Sequence, residues 1–329
     1  MNENGIDFVV LWVDDQDPQW QAERQKYKSE DTGFMNPNEC RYRDWGLLPY
    51  WFRSVEKYAP WVRKIHFVTC GHYPEWLNLE HPKLNFVRHE DFIPSEYLPT
   101  FSSYPIELNL HRIKDLSEQF VYFNDDMYVT APVKPTDFFV DGLPRDLAVS
   151  SIPMTDEIGL NNLNCINIIN REFNFHAQFK KHWRKWLNYR YGARCLICLF
   201  FLHWHEFTGV KNTHVANSYL KSTFVEVWEK YGKELDKTSR NRFSTPMDVN
   251  QWLMKYWQIV GGTFFPQRHS FGREYHVVST KQIERAIKKK TYKLLCVNDS
   301  RGLKDISQVK KEITEIFQRE FPDKSSFEL

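Results

Sequence analysis

Apolar runs with the pattern of buried β-strands alternate with helical patterns in the first half of the chain. Four runs fit a strand: Ile6 to Val13, Ile65 to Thr69, Leu84 to Val87, and Gln119 to Phe123. Apolar residues at helical spacing predict helices between these strands, over residues 41–58 and 105–116. Because strands that alternate with helices build doubly wound sheets, the pattern predicts an α/β, Rossmann-like fold with a mainly parallel sheet.

The second half of the chain carries more helical patterns than strand patterns. Apolar stripes predict helices over residues 215–231, over residues 249–257 with Asp248 as the cap, and after Asp305. One further strand is predicted from Lys293 to Val297. The C-terminal part is therefore expected to be mostly helical and to return to the sheet through this strand.

These patterns divide the chain into three parts. Residues 1–150 form the α/β core, and residues 213–329 form a helical C-terminal portion that completes the active site. Residues 151–212 show neither a regular helical period nor a regular strand period, and they are expected to be an irregular insertion.

Composition and charge narrow the class of protein. Hydrophobic content of 42% and charged content of 26% are typical of a globular chain, so disorder is not expected. A net charge of +2 is too small to indicate nucleic acid as the main partner. No run is apolar enough for a membrane span, and residues 1–15 do not resemble a signal peptide. The six scattered cysteines indicate reduced thiols in a cytoplasm.

Acidic residues follow three of the predicted strands. Asp125 and Asp126 come directly after the strand that ends at Phe123, Asp14 follows the first strand, and Asp299 follows the last one. In α/β sheets ligands gather at such strand ends, and carboxylates there can hold Mg²⁺ or Mn²⁺ beside a diphosphate. For each cluster taken alone, a solvated turn is the alternative.

Two features of the predicted insertion admit other interpretations. Cys195, Cys198, His203 and His205 have the residue types of a zinc site, but their spacing is too tight and an apolar run lies between them. We therefore favour a packed segment. Before that run, six Lys and Arg residues alternate with aromatic residues over 180–194, which suits peripheral contact with an anionic membrane surface. A basic helix that faces an acidic glycan or solvent fits equally well.

Four blocks of sequence, in order and covering nearly the whole chain, resemble the Stealth family. Its members are bacterial capsule and exopolysaccharide hexose-1-phosphate transferases, together with the catalytic subunit of the animal N-acetylglucosamine-1-phosphotransferase. The blocks lie within residues 6–18, within 41–126, from His214 to Asp248, and within 296–329. The second block includes Arg41-Tyr-Arg-Asp44, Glu107 and Tyr122-Phe-Asn-Asp-Asp126.

The resemblance implies transfer of a sugar-1-phosphate from a nucleotide-sugar to a sugar hydroxyl. The product is a phosphodiester-linked capsule or exopolysaccharide, and a nucleoside monophosphate is released. Residues 1–150 then bind the nucleotide-sugar, while residues 151–212 face an oligo- or polysaccharide acceptor or the membrane. The expected location is the cytoplasm, with contact at the inner face of the membrane left open.

The resemblance also assigns roles to residues of this chain. His214 is implied as the base that takes the proton of the acceptor hydroxyl. The other implied catalytic residue is Glu107, and Arg242 is predicted as a third from the departure at Ser244. The ligands of Mg²⁺ or Mn²⁺ are implied to be Asp125, Asp126 and Asp299. The substrate contacts are implied to be Asp14, Arg43, Arg112, Arg240 and Asn298.

The chain departs from the family pattern at Ser244, where an arginine is expected. A guanidinium matches phosphate oxygens in shape and charge, and serine cannot replace that charge. We therefore predict that Arg242, or otherwise Arg240, binds phosphate in its place.

Three other functions stay open on the sequence alone. A metal-dependent glycosyltransferase would use similar strand-end acids, attack the anomeric carbon and release a nucleoside diphosphate. A non-catalytic polysaccharide-binding module would account for the aromatic content of 16%, although packed core residues account for it as well. A nuclease or phosphatase would account for the acidic loops.

Overall fold

The computed structural model describes residues 5–28, 43–154, 157–300, 303 and 305–329 of the chain. The strands of these residues are β1 (Ile6–Leu11), β2 (Ile65–Thr69), β3 (Leu84–Arg88), β4 (Gln119–Phe123), β5 (Met127–Val129), β6 (Phe139–Val140), β7 (Leu143–Asp146), β8 (Asn217–Leu220), β9 (Phe265–Pro266), β10 (Gly272–His276) and β11 (Leu294–Asn298).

The helices of the same residues flank the sheets. They are α1 (Pro18–Lys28), α2 (Leu48–Tyr58), α3 (Ser103–Asn109), α4 (Glu157–Glu172), α5 (Phe175–Trp186), α6 (Cys195–Phe201), α7 (Lys221–Ser239), α8 (Trp252–Val260), α9 (Thr280–Lys288) and α10 (Ile306–Glu320). Within the described ranges, every helix is too short or too polar to cross a bilayer.

A five-stranded sheet in the order β3-β2-β1-β4-β8 forms the centre of the molecule. β1 pairs in parallel with both β2 and β4, and β2 pairs in parallel with β3. Phe8, Val9 and Val10 in β1 are fully buried, because α-helices cover both faces of the sheet. The predicted α/β fold with a mainly parallel sheet is therefore confirmed.

A second sheet, in the order β10-β11-β5, carries the C-terminal half of the chain back to the core. β5 begins directly after the acidic turn that ends β4, and it pairs antiparallel with β11, with Cys296 opposite Met127. The backbone N–H of Val297 donates to the carbonyl of Asp126 at 2.8 Å. Cys296 and Asp126, which are 170 positions apart in sequence, thus meet at one edge of the core.

The structure corrects the helix predicted over residues 215–231. Asn217–Leu220 form β8, which pairs antiparallel with β4 as the edge of the main sheet, and the helix begins at Lys221. Phe224 and Val227 belong to the predicted apolar stripe and are buried in α7. Pairing with the free edge of β4 holds residues 217–220 in the extended conformation. This is a tertiary effect, which helical spacing in the sequence does not indicate.

Three other boundaries also differ from the sequence patterns. Within residues 41–58, α2 starts only at Leu48, and residues 41 and 42 lie outside the described residues. Within residues 105–116, α3 ends at Asn109 and a 3₁₀ turn follows. Asp248 does not cap α8, which begins at Trp252; its carboxylate instead accepts the N–H of Thr245 at 2.7 Å.

The described residues of 151–212 are largely helical rather than irregular. They contain α4, α5 and α6, and a non-helical backbone at His182 within α5 and a 3₁₀ turn before α6 interrupt the period in sequence. The division of the chain into parts at residues 150 and 212 stays a prediction.

Asp7, a carboxylate buried in the central strand, ties β1 to its two neighbours. It accepts from Arg63 Nε at 2.8 Å, from the backbone N–H of Ser117 at 2.8 Å, and lies 3.0 Å from His66 Nε2. Burial acts to raise the pKa of Asp7, but hydrogen bonds from His66 and Arg63 outweigh it and hold this pKa below its usual value. Asp7 therefore stabilises the sheet in its ionised form.

Replacing Asp7 by Asn should destabilise the fold by about 3 kcal/mol, because it leaves buried donors without an ionised partner. Since the pKa is lowered in the folded state, this contribution is present above the usual carboxyl range and is lost as the pH falls through the folded pKa. The difference between wild type and Asp7→Asn should therefore shrink in acid. Denaturant unfolding at several pH values measures both effects.

The exposed carboxylate of Asp91 offers a matched control, because it pairs with Arg88 at the surface. Asp91→Asn should change the free energy of unfolding far less. Equal losses in the two variants would contradict the role of Asp7.

Candidate active site

A cavity of about 890 Å³ opens at the carboxyl ends of β1 and β4 and beside the end of β11. Five carboxylates and one arginine are among the described residues that line it. The carboxylates are those of Asp44, Glu107, Asp125, Asp126 and Asp299; the arginine is Arg43, and His214 and Asn298 also line the cavity. The excess of negative groups makes the cavity suited to a cation.

Asp125 and Asp126 lie in the tight turn between β4 and β5. The N–H of Met127 donates to the carbonyl of Asn124 at 3.1 Å and closes the turn. Burial raises the pKa of Asp125 to about 8, and the charges of Asp126 and Asp44 add to the effect. Burial also raises the pKa of Asp126, although His214 and Cys296 oppose it. The turn thus holds two buried acids close together, and neighbouring groups of the protein offset their mutual repulsion only in part.

The two oxygens of Asp126 have different surroundings. Oδ2 accepts the thiol of Cys296 at 3.2 Å, and burial together with the charge of Asp126 raises the pKa of that thiol well above its usual value. Oδ1 is buried and has no hydrogen-bond partner among the described residues. A buried carboxylate oxygen without a partner is costly unless a cation or a ligand meets it. Mg²⁺ or Mn²⁺, which prefer oxygen ligands, therefore fit this position.

His214 lies beside Asp126, on the segment that leads into β8. One ligand atom each of Asp126, His214 and Cys296 falls within 4.8 Å of the others. The backbone of His214 has φ of 44°, in the left-handed region, and its N–H donates to Asn212 Oδ1 at 2.7 Å. Such a backbone in a non-glycine residue is sustained by its surroundings and is frequent in functional sites.

Gly272 at the start of β10 allows the His214 segment to come close. A Cβ at this position would lie 2.8 Å from a methyl carbon of Val215, the residue that follows His214. Only a glycine fits there without displacing that residue.

Glu107 on α3 is buried below the same cavity. Its carboxylate accepts the hydroxyl of Tyr122 at 3.1 Å and the N–H of Gln251 at 3.4 Å. Burial raises the pKa of Glu107, while these hydrogen bonds and the charge of His214 oppose the increase. Glu107 thereby joins α3, β4 and the start of α8, and it places a carboxyl group near the imidazole.

Arg43 and Asp299 form an ion pair at the cavity wall. Arg43 Nη1 lies 2.9 Å from Asp299 Oδ2, and the two side chains are 25% and 10% exposed. Asn298 donates to Glu274 at 2.8 Å. The C-terminal block that the sequence assigned to the site therefore reaches it through the end of β11.

Four predicted site residues lie outside the lining of the cavity. Asp14 accepts the N–H of Gln16 in a turn at its edge, and Arg112 lies 4.9 Å over the ring of Trp228. Arg240 pairs with Asp236 one helical turn away, and Arg242 lies 4.6 Å over the ring of Tyr27.

Ser244, which stands in place of the expected arginine, does line the cavity and is 2.8 Å from the hydroxyl of Ser102. The phosphate-binding role of Arg242 or Arg240 stays a prediction.

The structure adds Asp44 and Cys296 to the candidate site. Asp44 lies in the Arg41-Tyr-Arg-Asp44 block, and burial raises its pKa, with the charges of Asp15 and Asp14 contributing. Cys296 precedes Asn298 in β11, so its sequence position gave a signal, but its pairing with Asp126 depends on strand register.

The cysteines and histidines of residues 195–205 do not assemble into a metal-ligand group among the described residues, and Cys198 instead donates to the carbonyl of Ala148.

The fold and the site define an α/β protein with an acidic, cation-compatible cavity at the carboxyl edge of its sheet. The Stealth protein conserved region 1 matches residues 5–32, and conserved region 2 matches residues 41–145. The chain is 45% identical over 327 residues to the capsular polysaccharide phosphotransferase WcwK of Streptococcus pneumoniae, with 99% of each chain covered. The chain belongs to the Stealth family.

Relatives from other species are similar in sequence to this chain over nearly its whole length. The exopolysaccharide phosphotransferase cps2G of Lactiplantibacillus plantarum is 38% identical over 98% of this chain and 96% of its own. The receptor polysaccharide phosphotransferase WefC of Streptococcus oralis is 39% identical over 99% of this chain and 100% of its own. Among solved structures, the galactosyltransferase LgtC is similar with a TM-score of 0.43 and 11% identity, over 95% of each chain.

Mg²⁺ or Mn²⁺ should raise the melting temperature of the protein by a few degrees, because a cation bound to the folded state relieves the repulsion of its carboxylates. Asp126→Asn should lose this increase and should be at least as stable as wild type without metal, since it removes one of the opposed charges. Thermal unfolding with and without each cation measures both quantities.

His214→Ala distinguishes a base from a ligand in the same assay. These cations prefer oxygen ligands, so we expect the variant to keep the metal-dependent increase. Loss of the increase in His214→Ala would make the imidazole a ligand. An undiminished increase in Asp126→Asn would instead contradict the metal site.

Proposed function

We propose that the protein transfers a sugar-1-phosphate from a nucleotide-sugar to a hydroxyl of a saccharide acceptor. The observation that carries the proposal is the unpartnered, buried Oδ1 of Asp126 beside His214 in an acidic cavity at the end of β4. Relatives covering the whole chain and named as polysaccharide phosphotransferases support it. The expected product is a phosphodiester in a capsule or exopolysaccharide.

Charge is the first requirement of this reaction. A nucleotide-sugar carries a diphosphate, which five carboxylates around the cavity would repel without a cation. Asp125 and Asp126, with Asp299, which also lines the cavity, would hold Mg²⁺ or Mn²⁺, and the cation would neutralise charge on the diphosphate. Arg43 lines the cavity and can bind a phosphate oxygen with its planar guanidinium.

Proton transfer is the second requirement. His214 would accept the proton of the acceptor hydroxyl as that oxygen attacks the phosphorus next to the sugar. A new O–P bond forms, the P–O bond to the nucleotide phosphate breaks, and a nucleoside monophosphate leaves. Glu107, whose pKa is raised by burial and lowered in part by the charge of His214, would stabilise the imidazolium that results. Base catalysis and positioning suffice, so no covalent intermediate is needed.

The released nucleotide separates this reaction from its alternatives. Incubation with nucleotide-sugars, a glycan acceptor and Mg²⁺ should release a nucleoside monophosphate only when donor and acceptor are both present. Chromatography of the nucleotides measures the product, and Asp126→Asn should abolish it. A nucleoside diphosphate would mean glycosyl transfer, release without acceptor would mean hydrolysis, and no release with any donor would favour a binding module.

Arg43 and Arg242 form a matched pair for the phosphate contact. Arg43→Lys keeps the charge but loses the fork, so we expect turnover to fall by about 10-fold or more, with weaker donor binding. The sequence-based prediction gives the same contact to Arg242, whose guanidinium lies over the ring of Tyr27 outside the cavity lining. In steady-state kinetics, a fall confined to Arg43→Lys would leave the contact with Arg43, and a fall confined to Arg242→Lys would assign it to Arg242.

A further inference from the structure

Helix α6 presents apolar side chains to solvent instead of to the core. Of its seven residues, only Cys198 is fully buried. Leu196 and Phe200 are 61% and 66% exposed, Ile197 and Leu199 are also exposed, and Trp204 lies just after the helix with 43% of its surface exposed. Single exposed apolar residues are ordinary, but a group of them on one short helix marks a contact surface.

The same stretch of chain is strongly basic. Between Asn174 and Asn212 there are seven Lys and Arg residues and a single acid, Glu206. Lys180, Lys181, Arg184 and Arg194 are exposed, and none of them forms a salt bridge with a carboxylate of the described chain. We call residues 174–212 the basic–apolar segment.

Contacts within the basic–apolar segment join α5, which carries Lys180, Lys181 and Arg184, to the residues that follow α6. The imidazole Nε2 of His176, in the first turn of α5, lies 2.9 Å from the carbonyl oxygen of Leu202 and 3.1 Å from that of Trp204. The ring of Trp204 is 5.4 Å from that of Phe200. Arg194 immediately precedes α6. The exposed apolar group and the cations are therefore carried by neighbouring parts of one folded segment.

We propose that the basic–apolar segment binds the surface of an anionic lipid bilayer. Leu196, Leu199, Phe200 and Trp204 would enter the interface between headgroups and acyl chains, and the cations would contact anionic headgroups. The apolar side chains give the binding its depth, while the charges give its preference for anionic lipid. This proposal does not depend on the proposed reaction.

A second copy of the chain fits this surface poorly. A two-fold contact would place Lys180, Lys181, Arg184 and Arg194 of one copy against the same cluster of the other, with one acid per copy to offset them. An acidic glycan would match the charges but would leave Leu196 and Phe200 in water. A bilayer with anionic headgroups meets both requirements.

Co-sedimentation of the full chain with vesicles tests the proposal. The protein should bind vesicles of phosphatidylcholine mixed with phosphatidylglycerol, bind phosphatidylcholine alone much more weakly, and lose binding as salt is raised. The double variant Leu196→Glu/Phe200→Glu and the triple variant Lys180→Glu/Lys181→Glu/Arg184→Glu should each weaken binding by about 10-fold or more.

Matched controls lie elsewhere on the surface. Tyr73→Glu/Val225→Glu changes two exposed apolar residues. Lys281→Glu/Lys288→Glu/Lys289→Glu reverses two charges on α9 and one directly after it, and α9 buries its apolar residues. Both controls should bind like wild type. Circular dichroism and melting temperature check that every variant is folded.

Three results would overturn the proposal. The first is a wild-type protein that ignores anionic vesicles. The second is an equal loss of binding in the controls and in the segment variants. The third is a wild-type dimer in the absence of lipid that Leu196→Glu/Phe200→Glu converts to a monomer, measured by light scattering, because this would assign the surface to self-association.

Discussion

The antiparallel pairing of β5 with β11 is the interaction on which the candidate site depends. β5 continues from the acidic turn after β4, so its register fixes where that turn lies relative to the C-terminal block. Through this register Cys296 meets Asp126, and Asp299 reaches the cavity wall beside Arg43. This pairing brings the acidic turn after β4 together with the C-terminal block. Local sequence patterns could not predict that contact, because strand register is set by long-range contacts.

The site concentrates more negative charge than the single arginine of the described cavity lining neutralises. Asp7 shows the ordinary solution for a buried acid in this chain, since Arg63, His66 and backbone donors surround it. Asp125 has the opposite environment: burial and the neighbouring acids raise its pKa. The fold thus gives Asp7 a full set of partners but leaves the carboxylates of the cavity to repel one another. Such an arrangement favours ligand binding over maximal stability at the carboxyl edge of the sheet.

The sequence predicted those features that arise from local patterns. β1 and β4 are continuous apolar runs, and the acids that follow them had to fall at the sheet's carboxyl edge once the strands were parallel. The prediction of a helix was wrong at residues 217–220, because pairing with the free edge of β4 overrides the helical spacing of apolar residues there. The sequence patterns also did not predict that Arg240 forms an ion pair with Asp236, one helical turn earlier. Nor did they predict that Asp44 lines the cavity.

The position of His214 in the candidate site depends on Gly272, a residue that an inspection of the cavity alone would miss. This residue does not line the cavity, yet the lack of a side chain there is what lets Val215 and the adjacent His214 take up their position. An added methyl group in β10 would displace Val215 and thereby disturb the adjacent His214, while leaving every residue that lines the cavity chemically unchanged. Sequence variation at this position outside the cavity lining therefore reports on how His214 is held beside Asp126, and an engineering library restricted to cavity residues would not sample it.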